Sequence, residues 1–221
     1  MYVNRLILEV TRRCNMNCAH CLRGAAQNKD MSTDIVDKIL NTIDGCASVT
    51  FTGGEPSLNI PLIHYFFQKA EEMDKMPASF WVATNGKEHS EELALELLKA
   101  YGKMEEKDMC GVAISVDEFH EDDPKYSRLN ILHGLAFYDS SKEGNFDKKY
   151  IIRSGNAIDL YPGAYRFRDS EEMPFYFDGE DAIEELCVSV DGKVTSNCDL
   201  SYDEIDCSDY DLDHMPVYAE E

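Results

Sequence analysis

Apolar positions along this chain alternate between two rhythms, short β-branched or aromatic runs and longer stretches with an apolar residue every three or four positions. Residues 3 to 10 alternate and then run apolar (Val3, Leu6, Ile7, Leu8, Val10), which predicts a strand of a covered sheet. Ser32 is placed to cap a helix in which Ile35, Val36, Ile39, Leu40 and Ile43 share one face, with Gly45 as its stop. Val49 to Thr52 reads as a second strand, ending at once in Gly53-Gly54-Glu55-Pro56. A second helix follows, capped by Asn59, with Pro61 in its first turn and Leu62, Ile63, Phe66, Phe67, Ala70 and Met73 on the buried side. The third strand, Ser79 to Ala83, runs into Thr84-Asn85-Gly86. Ser90 then caps a helix with Leu93, Ala94, Leu97, Leu98 and Tyr101 on one face. Gly111 to Val116 is a fourth strand, closed by Asp117.

Further on the rhythm loosens. Residues 124 to 142 carry a weak helical side through Leu129, Leu132, Leu135, Ala136 and Phe137, and Lys149 to Arg153 reads as a fifth strand leading to Ser154-Gly155-Asn156. From Asp159 to Glu185 the pattern breaks into Pro162, Gly163, Pro174 and Gly179 among aromatics and acids, an irregular connection. Leu186 to Val190 and Val194 to Cys198 flank Asp191-Gly192-Lys193 and predict a β-hairpin. Strands alternating with helices predict a parallel sheet with right-handed crossovers, which binds ligands at the carboxyl ends of its strands. Every polar or glycine-rich motif above follows a strand, so one rim would collect them all.

Composition bounds the class. At 221 residues and 43% hydrophobic content, one domain burying roughly 70% of its unfolded surface is expected. Arg5 and Glu9 interrupt the first apolar run, so it is no signal peptide, and no stretch is long enough to span a bilayer. A cytoplasmic protein is expected, in which eight cysteines serve metal binding or reactivity and not disulfides. The formal charge of −22 argues against a broad nucleic-acid footprint. Nine of the acids fall in residues 199 to 221, with no Lys or Arg, and read as a solvated tail or a surface attracting a basic partner peptide. Cys46 and Cys110 precede strands two and four and read as small buried hydrophobes, while His64, His89 and His133 read as surface or packing residues.

Cys14, Cys18 and Cys21 change the picture, because three thiols in eight residues make a metal site with one coordination position left open. Zinc with a fourth ligand from elsewhere fits the triplet, as does a [4Fe–4S] cluster. The spacing C-x3-C-x2-C, with His20 before the last cysteine and Gly53-Gly54-Glu55-Pro56 after the second strand, resembles the radical S-adenosylmethionine (SAM) enzymes. The resemblance covers about residues 3 to 157 and implies a partial (β/α)6 barrel, here with a short C-terminal β-hairpin extension over 158 to 221. It implies that three irons take the cysteines and that the fourth binds SAM, whose reductive cleavage gives a 5′-deoxyadenosyl radical. It further implies that Gly53, Gly54 and Glu55 hold the SAM amino group, that His20 lies beside adenine, and that Asn85, Ser115 and Asp117, with Arg153 weaker, meet ribose and carboxylate.

A flavodoxin- or ferredoxin-type reductant and a peptide or small-molecule substrate complete that expectation. Cys187, Cys198 and Cys207 lie around the hairpin, where a second Fe–S cluster would need His214 or an acid as fourth ligand; incidental thiols on a sheet-capping hairpin are the alternative. Glu118 and His120 are placed to reach the rim, although no general acid or base stands out. Two other functions fit the same motifs, an activase that installs a glycyl radical on a partner enzyme and a non-catalytic Fe–S or zinc interaction module.

Overall fold

The computed structural model describes residues 1–117, 119–120, 130–142, 151–158, 160, 175 and 182–215. The elements are β1 (Tyr2–Thr11), α1 (Thr33–Thr42), β2 (Gly45–Gly53), α2 (Ile60–Glu72), β3 (Ser79–Thr84), α3 (Ser90–Tyr101), β4 (Gly111–Ile114), β5 (Ala182–Val188), β6 (Val194–Thr195) and α4 (Tyr202–Asp206). They build one unclosed six-stranded sheet in the order β4-β3-β2-β1-β5-β6, parallel throughout except at the β5–β6 edge. The expected α/β class and partial-barrel architecture therefore stand. No helix among the described residues is long and apolar enough to cross a membrane.

β1 lies between β2 and β5 and is buried from Leu6 to Thr11, as expected of the apolar run of a central strand covered on both faces. The helices lay Val36, Ile39, Leu40, Leu62, Ile63, Phe66, Leu93 and Leu97 against the sheet, all almost fully buried. At the centre Phe51, Phe66, Phe67, Phe80 and Phe137 meet edge to face in a chain of rings with centroids 5.3 to 6.0 Å apart. That geometry suits ring quadrupoles better than flat stacking does, and each pair adds about 0.5–1.5 kcal/mol beyond its buried area.

Four local expectations need correction. Gly45 does not stop α1, which ends at Thr42 when Ile43 turns extended; Asp44 N donates to Met1 O at 2.9 Å, and Gly45 opens β2 under the Tyr2 ring. β2 therefore begins earlier than its β-branched run, and Cys46 lies inside it, buried. α3 is capped by His89 in the left-handed region (φ 54°), while Ser90 lies inside the helix and its Oγ donates to Gly86 O at 3.0 Å. Of the weak helix at 124 to 142, residues 124–129 lie outside the described residues, and 130–142 form two 3-10 turns around an extended segment beside β4. There the Asn130 side chain accepts from Leu132 N, a local bond that competes with helix, and Val112 N donates to Phe137 O.

The expected fifth strand fares similarly. Lys149 and Tyr150 lie outside the described residues, and Ile151 to Arg153 form no strand. The place beside β1 is taken by β5, whose polar start is satisfied across the ladder, Glu185 by Arg5 at 2.5 Å and Glu184 by Asn4 at 2.8 Å. The predicted hairpin follows, its turn closed by Ser189 N to Lys193 O at 2.9 Å, with Gly192 at φ +80°. The acidic tail is docked as far as Met215: α4 has a Ser201–Glu204 capping box, and Asp213 pairs with Lys38 at 2.5 Å. Residues 216–221 lie outside the described residues.

Candidate cluster and cofactor site

The ends of β1 and β2 are joined at the start of the cysteine loop. Gly54 N donates to Thr11 O at 2.7 Å and Glu55 N to Arg13 O at 2.8 Å. A Cβ on Gly53 would come within 2.1 Å of Thr11 O, and one on Gly54 within 2.2 Å of Arg13 O. Real Cβ atoms do not approach backbone so closely, and Gly53 also sits at φ +128°. The glycines let two strand ends touch, a use that the turn alone did not reveal.

Glu55 is 1% exposed and ties its own turn to the end of β3. Its Oε1 accepts from Ser57 N at 3.0 Å and Thr84 Oγ1 at 2.5 Å, and its Oε2 accepts from Asn85 N at 2.7 Å. Burial pushes the carboxyl above the usual range, while the donors from Asn85, Thr84 and Ser57 pull it back. An ionised carboxylate has about four lone-pair sites, so Oε2 keeps capacity for one more donor. Asn85 Nδ2 donates to Asn15 Oδ1 at 2.7 Å, which fixes the β3 loop to the cysteine loop. Ser115 N donates to Thr84 O at 2.8 Å, so Ser115 follows on the same rim.

The cysteine loop is a run of turns, with Cys21 N donating to Cys18 O at 3.1 Å and Gly24 N to Cys21 O at 3.3 Å. A second segment clamps it from outside. Asn156 N donates to Cys21 O at 2.9 Å and Asn156 Nδ2 to Cys18 O at 3.0 Å. Gly155 passes so close that a Cβ would lie 2.3 Å from Leu22 O. Cys14, Cys18 and Cys21 are each half-buried. Burial first, then the neighbouring Cys14 and Cys21, pushes the Cys18 thiol up to about 11, and Cys14 moves up for the same reasons with Glu55 adding to them. Three soft donors that repel one another as thiolates fit a cationic iron–sulfur or zinc centre, which relieves that repulsion.

His20 of the cysteine loop faces Asp117 and His120 from the loop after β4. His20 stacks on Phe119 with centroids 4.6 Å apart and an interplanar angle of 27°. Asp117 accepts from Phe119 N at 2.8 Å and His120 N at 3.1 Å; burial raises its carboxyl, but the His120 side chain and then the Phe119 amide outweigh it and hold it below the usual range. Glu118 lies outside the described residues. Arg153 turns away to Ile158 O, 3.1 Å from both its Nε and Nη2.

Sequence reasoning missed Arg12 and the clamp role of Asn156. Arg12 is fully buried; its Nε donates to Glu9 Oε1 at 2.5 Å, its Nη1 and Nη2 grip Asp206 at 2.9 and 2.7 Å, and it lies 4.5 Å above the Tyr202 ring. No short-range signal marks this pairing, because Asp206 is remote in sequence. Cys187 and Cys198 meet: burial raises the Cys187 thiol, and its bond to Cys198 lowers the latter. Cys207 is exposed.

The family model of the radical SAM superfamily matches residues 8–143, more than half of the chain. The chain belongs to the radical SAM superfamily. That family implies a [4Fe–4S] cluster and SAM. Among curated proteins, this radical SAM chain is 45% identical over 65 residues to the uncharacterised protein MJ0907 of Methanocaldococcus jannaschii, covering 28% of this chain and 22% of that one. It is 24% identical over 180 residues to Fe-coproporphyrin III synthase of Methanosarcina barkeri, covering 76% of this chain and 42% of that one. The chain thus spans less than half the length of these curated relatives. Among solved structures it is similar to Streptococcus suis SuiB bound to precursor peptide SuiA, at TM-score 0.41 and 13% identity, covering 90% and 60% of the two chains. It is also similar to anSMEcpe with bound AdoMet and Cp18Cys peptide, at TM-score 0.41 and 22% identity, covering 54% and 34%.

Proposed function

We propose that this chain is a radical SAM enzyme acting on a peptide or small molecule, an oxidoreductase of the cytoplasm supplied with electrons by a flavodoxin- or ferredoxin-type protein. Cys14, Cys18 and Cys21 would hold the cluster, Gly53, Gly54, Glu55, Asn85 and Ser115 would receive SAM, and His20 would offer adenine a ring face. The observation that carries this reading is the direct main-chain attachment of the Gly53–Glu55 turn to Thr11 and Arg13, at the head of the cysteine loop. When bound, the cluster and SAM supply a 5′-deoxyadenosyl radical that abstracts hydrogen from the substrate. The chain's own part is to hold the groups in register: Glu55 locks β2, β3 and the Ser57 turn, Asn85 braces Asn15, and Asn156 fixes the carbonyls of Cys18 and Cys21. Beside the cysteine loop a groove of about 510 Å³, lined by Arg23, Gly24, Gln27, Arg153, Asn156 and Tyr202, offers a substrate a place of ordinary ligand size.

We read residues 1–157 as the core and 158–221 as its extension, with β5 contributed to the core sheet. A second cluster would draw on Cys187 and Cys198, which meet, and on Cys207, which is exposed. Anaerobic reconstitution tests these readings together: about four irons per chain, and 5′-deoxyadenosine on adding dithionite and SAM, are expected, and about eight irons would reveal the second cluster. Cys18→Ala should abolish 5′-deoxyadenosine formation while the far-ultraviolet circular dichroism stays unchanged. An undiminished yield would overturn the cluster assignment, and zinc held on sulfur with no SAM cleavage would favour an interaction module.

A further inference from the structure

Among the described residues, one ligating atom from each of His20, Asp117 and His120 falls within 4.8 Å of the other two. The three come from two loops, His20 from the cysteine loop and the others from the loop after β4, so tertiary structure alone brings them together. Their side chains are only 18%, 10% and 16% exposed, and the set is walled on one side by the Phe119 ring stacked on His20.

The contacts within the set differ in length. His120 Nδ1 lies 2.8 Å from Asp117 Oδ1 in a close ion-pair contact. His20 Nε2 lies 3.7 Å from Asp117 Oδ2, beyond hydrogen-bonding distance. Ligands about 2.0–2.2 Å from one ion lie roughly 3–4 Å apart; the 3.7 Å contact falls in that range and the 2.8 Å contact just below it. The carboxylate is already held by the amides of Phe119 and His120, so Asp117 is preorganised by its own turn.

We propose that His20, Asp117 and His120 form a second metal site, for one divalent first-row ion, separate from the three thiols. Two imidazoles and one carboxylate suit zinc, cobalt or ferrous iron, and three protein donors leave coordination positions open for an oxygen ligand such as a substrate carboxylate or carbonyl. The ion would pin the cysteine loop to the β4 loop through His20. Asp117 then belongs to this ion and not to the SAM ribose, while His20 keeps one ring face for adenine.

The test uses the anaerobically reconstituted chain, whose thiols are already occupied, with Zn²⁺ alone as probe. One zinc per chain beyond the iron is expected, with a zinc-edge X-ray absorption shell of nitrogen and oxygen at about 2.0–2.1 Å. His120→Ala, and the nearly isosteric Asp117→Asn, should each weaken zinc binding at least about tenfold without changing the iron count. A sulfur shell at about 2.3 Å, no bound zinc, or zinc affinity unchanged in both variants would overturn the proposal. The spectrum of the unaltered chain decides even if a variant fails to fold. The two readings fail separately, since iron content and 5′-deoxyadenosine report on the cysteines and the zinc shell reports on the histidines.

Discussion

Residues 9–13 and 14–21 adjoin in sequence, yet the structure treats their polar groups in opposite ways. In the first stretch Glu9 and Arg12 are almost wholly buried and Arg12 is bound on three sides, by Glu9, Gln27 and Asp206. In the second, three half-buried thiols lie beside His20, and burial together with the like charges pushes Cys18 away from ionisation. A charge-paired anchor stands next to a cluster of thiols. The contrast teaches how such a site is held: donors kept ready for a ligand cannot stabilise the loop that carries them, so the residues just before and across from it do so.

Breaking the anchor gives the largest expected effect. Arg12→Ala would leave Glu9 buried without its cation and should cost about 3–5 kcal/mol, read as a lower urea midpoint; a loss below 1 kcal/mol would mean that the anchor is ornamental. Next comes the joint between the two stretches. Gly54→Ala places a methyl against Arg13 O and should cost about 1–3 kcal/mol, and the iron retained after reconstitution should drop although every cysteine remains; full iron loading at normal stability would separate the turn from the thiols. The smallest effect is a pH dependence. Arg12 holds the Asp206 carboxyl below its ordinary value of 3.8, so the pair's contribution is present above that value and is lost as pH falls through the lower folded one. Asp206→Asn should remove this part of the acid limb, so that thermal midpoints of the two proteins converge as pH falls through the lowered carboxyl value; parallel curves would assign the acid limb to other carboxylates.

Much of the frame was legible in the residues. Three-residue and four-residue periodicity marked α1, α2 and α3, because each lays a single apolar stripe on the sheet, and the Asp191-Gly192 turn marked the hairpin, because Gly192 takes a positive φ. The fifth strand was misplaced because a tract with Ile151 and Ile152 looks more strand-like than one opening with Glu184 and Glu185. Only Arg5 and Asn4, across the ladder, make those acids acceptable in β5.

The same division runs through the site. The chain by itself determined the donors that lie close in sequence, Cys14, Cys18 and Cys21 and the Gly53–Glu55 turn, because local spacing fixes which atoms one loop can present. Tertiary structure alone decided that Asn85 braces Asn15, that Asn156 clamps the cysteine loop, that Asp206 reaches Arg12, and that His20 meets Asp117 and His120. Those pairings are made by strand order and loop packing, and a charge or an imidazole carries no local mark of the remote partner that will face it.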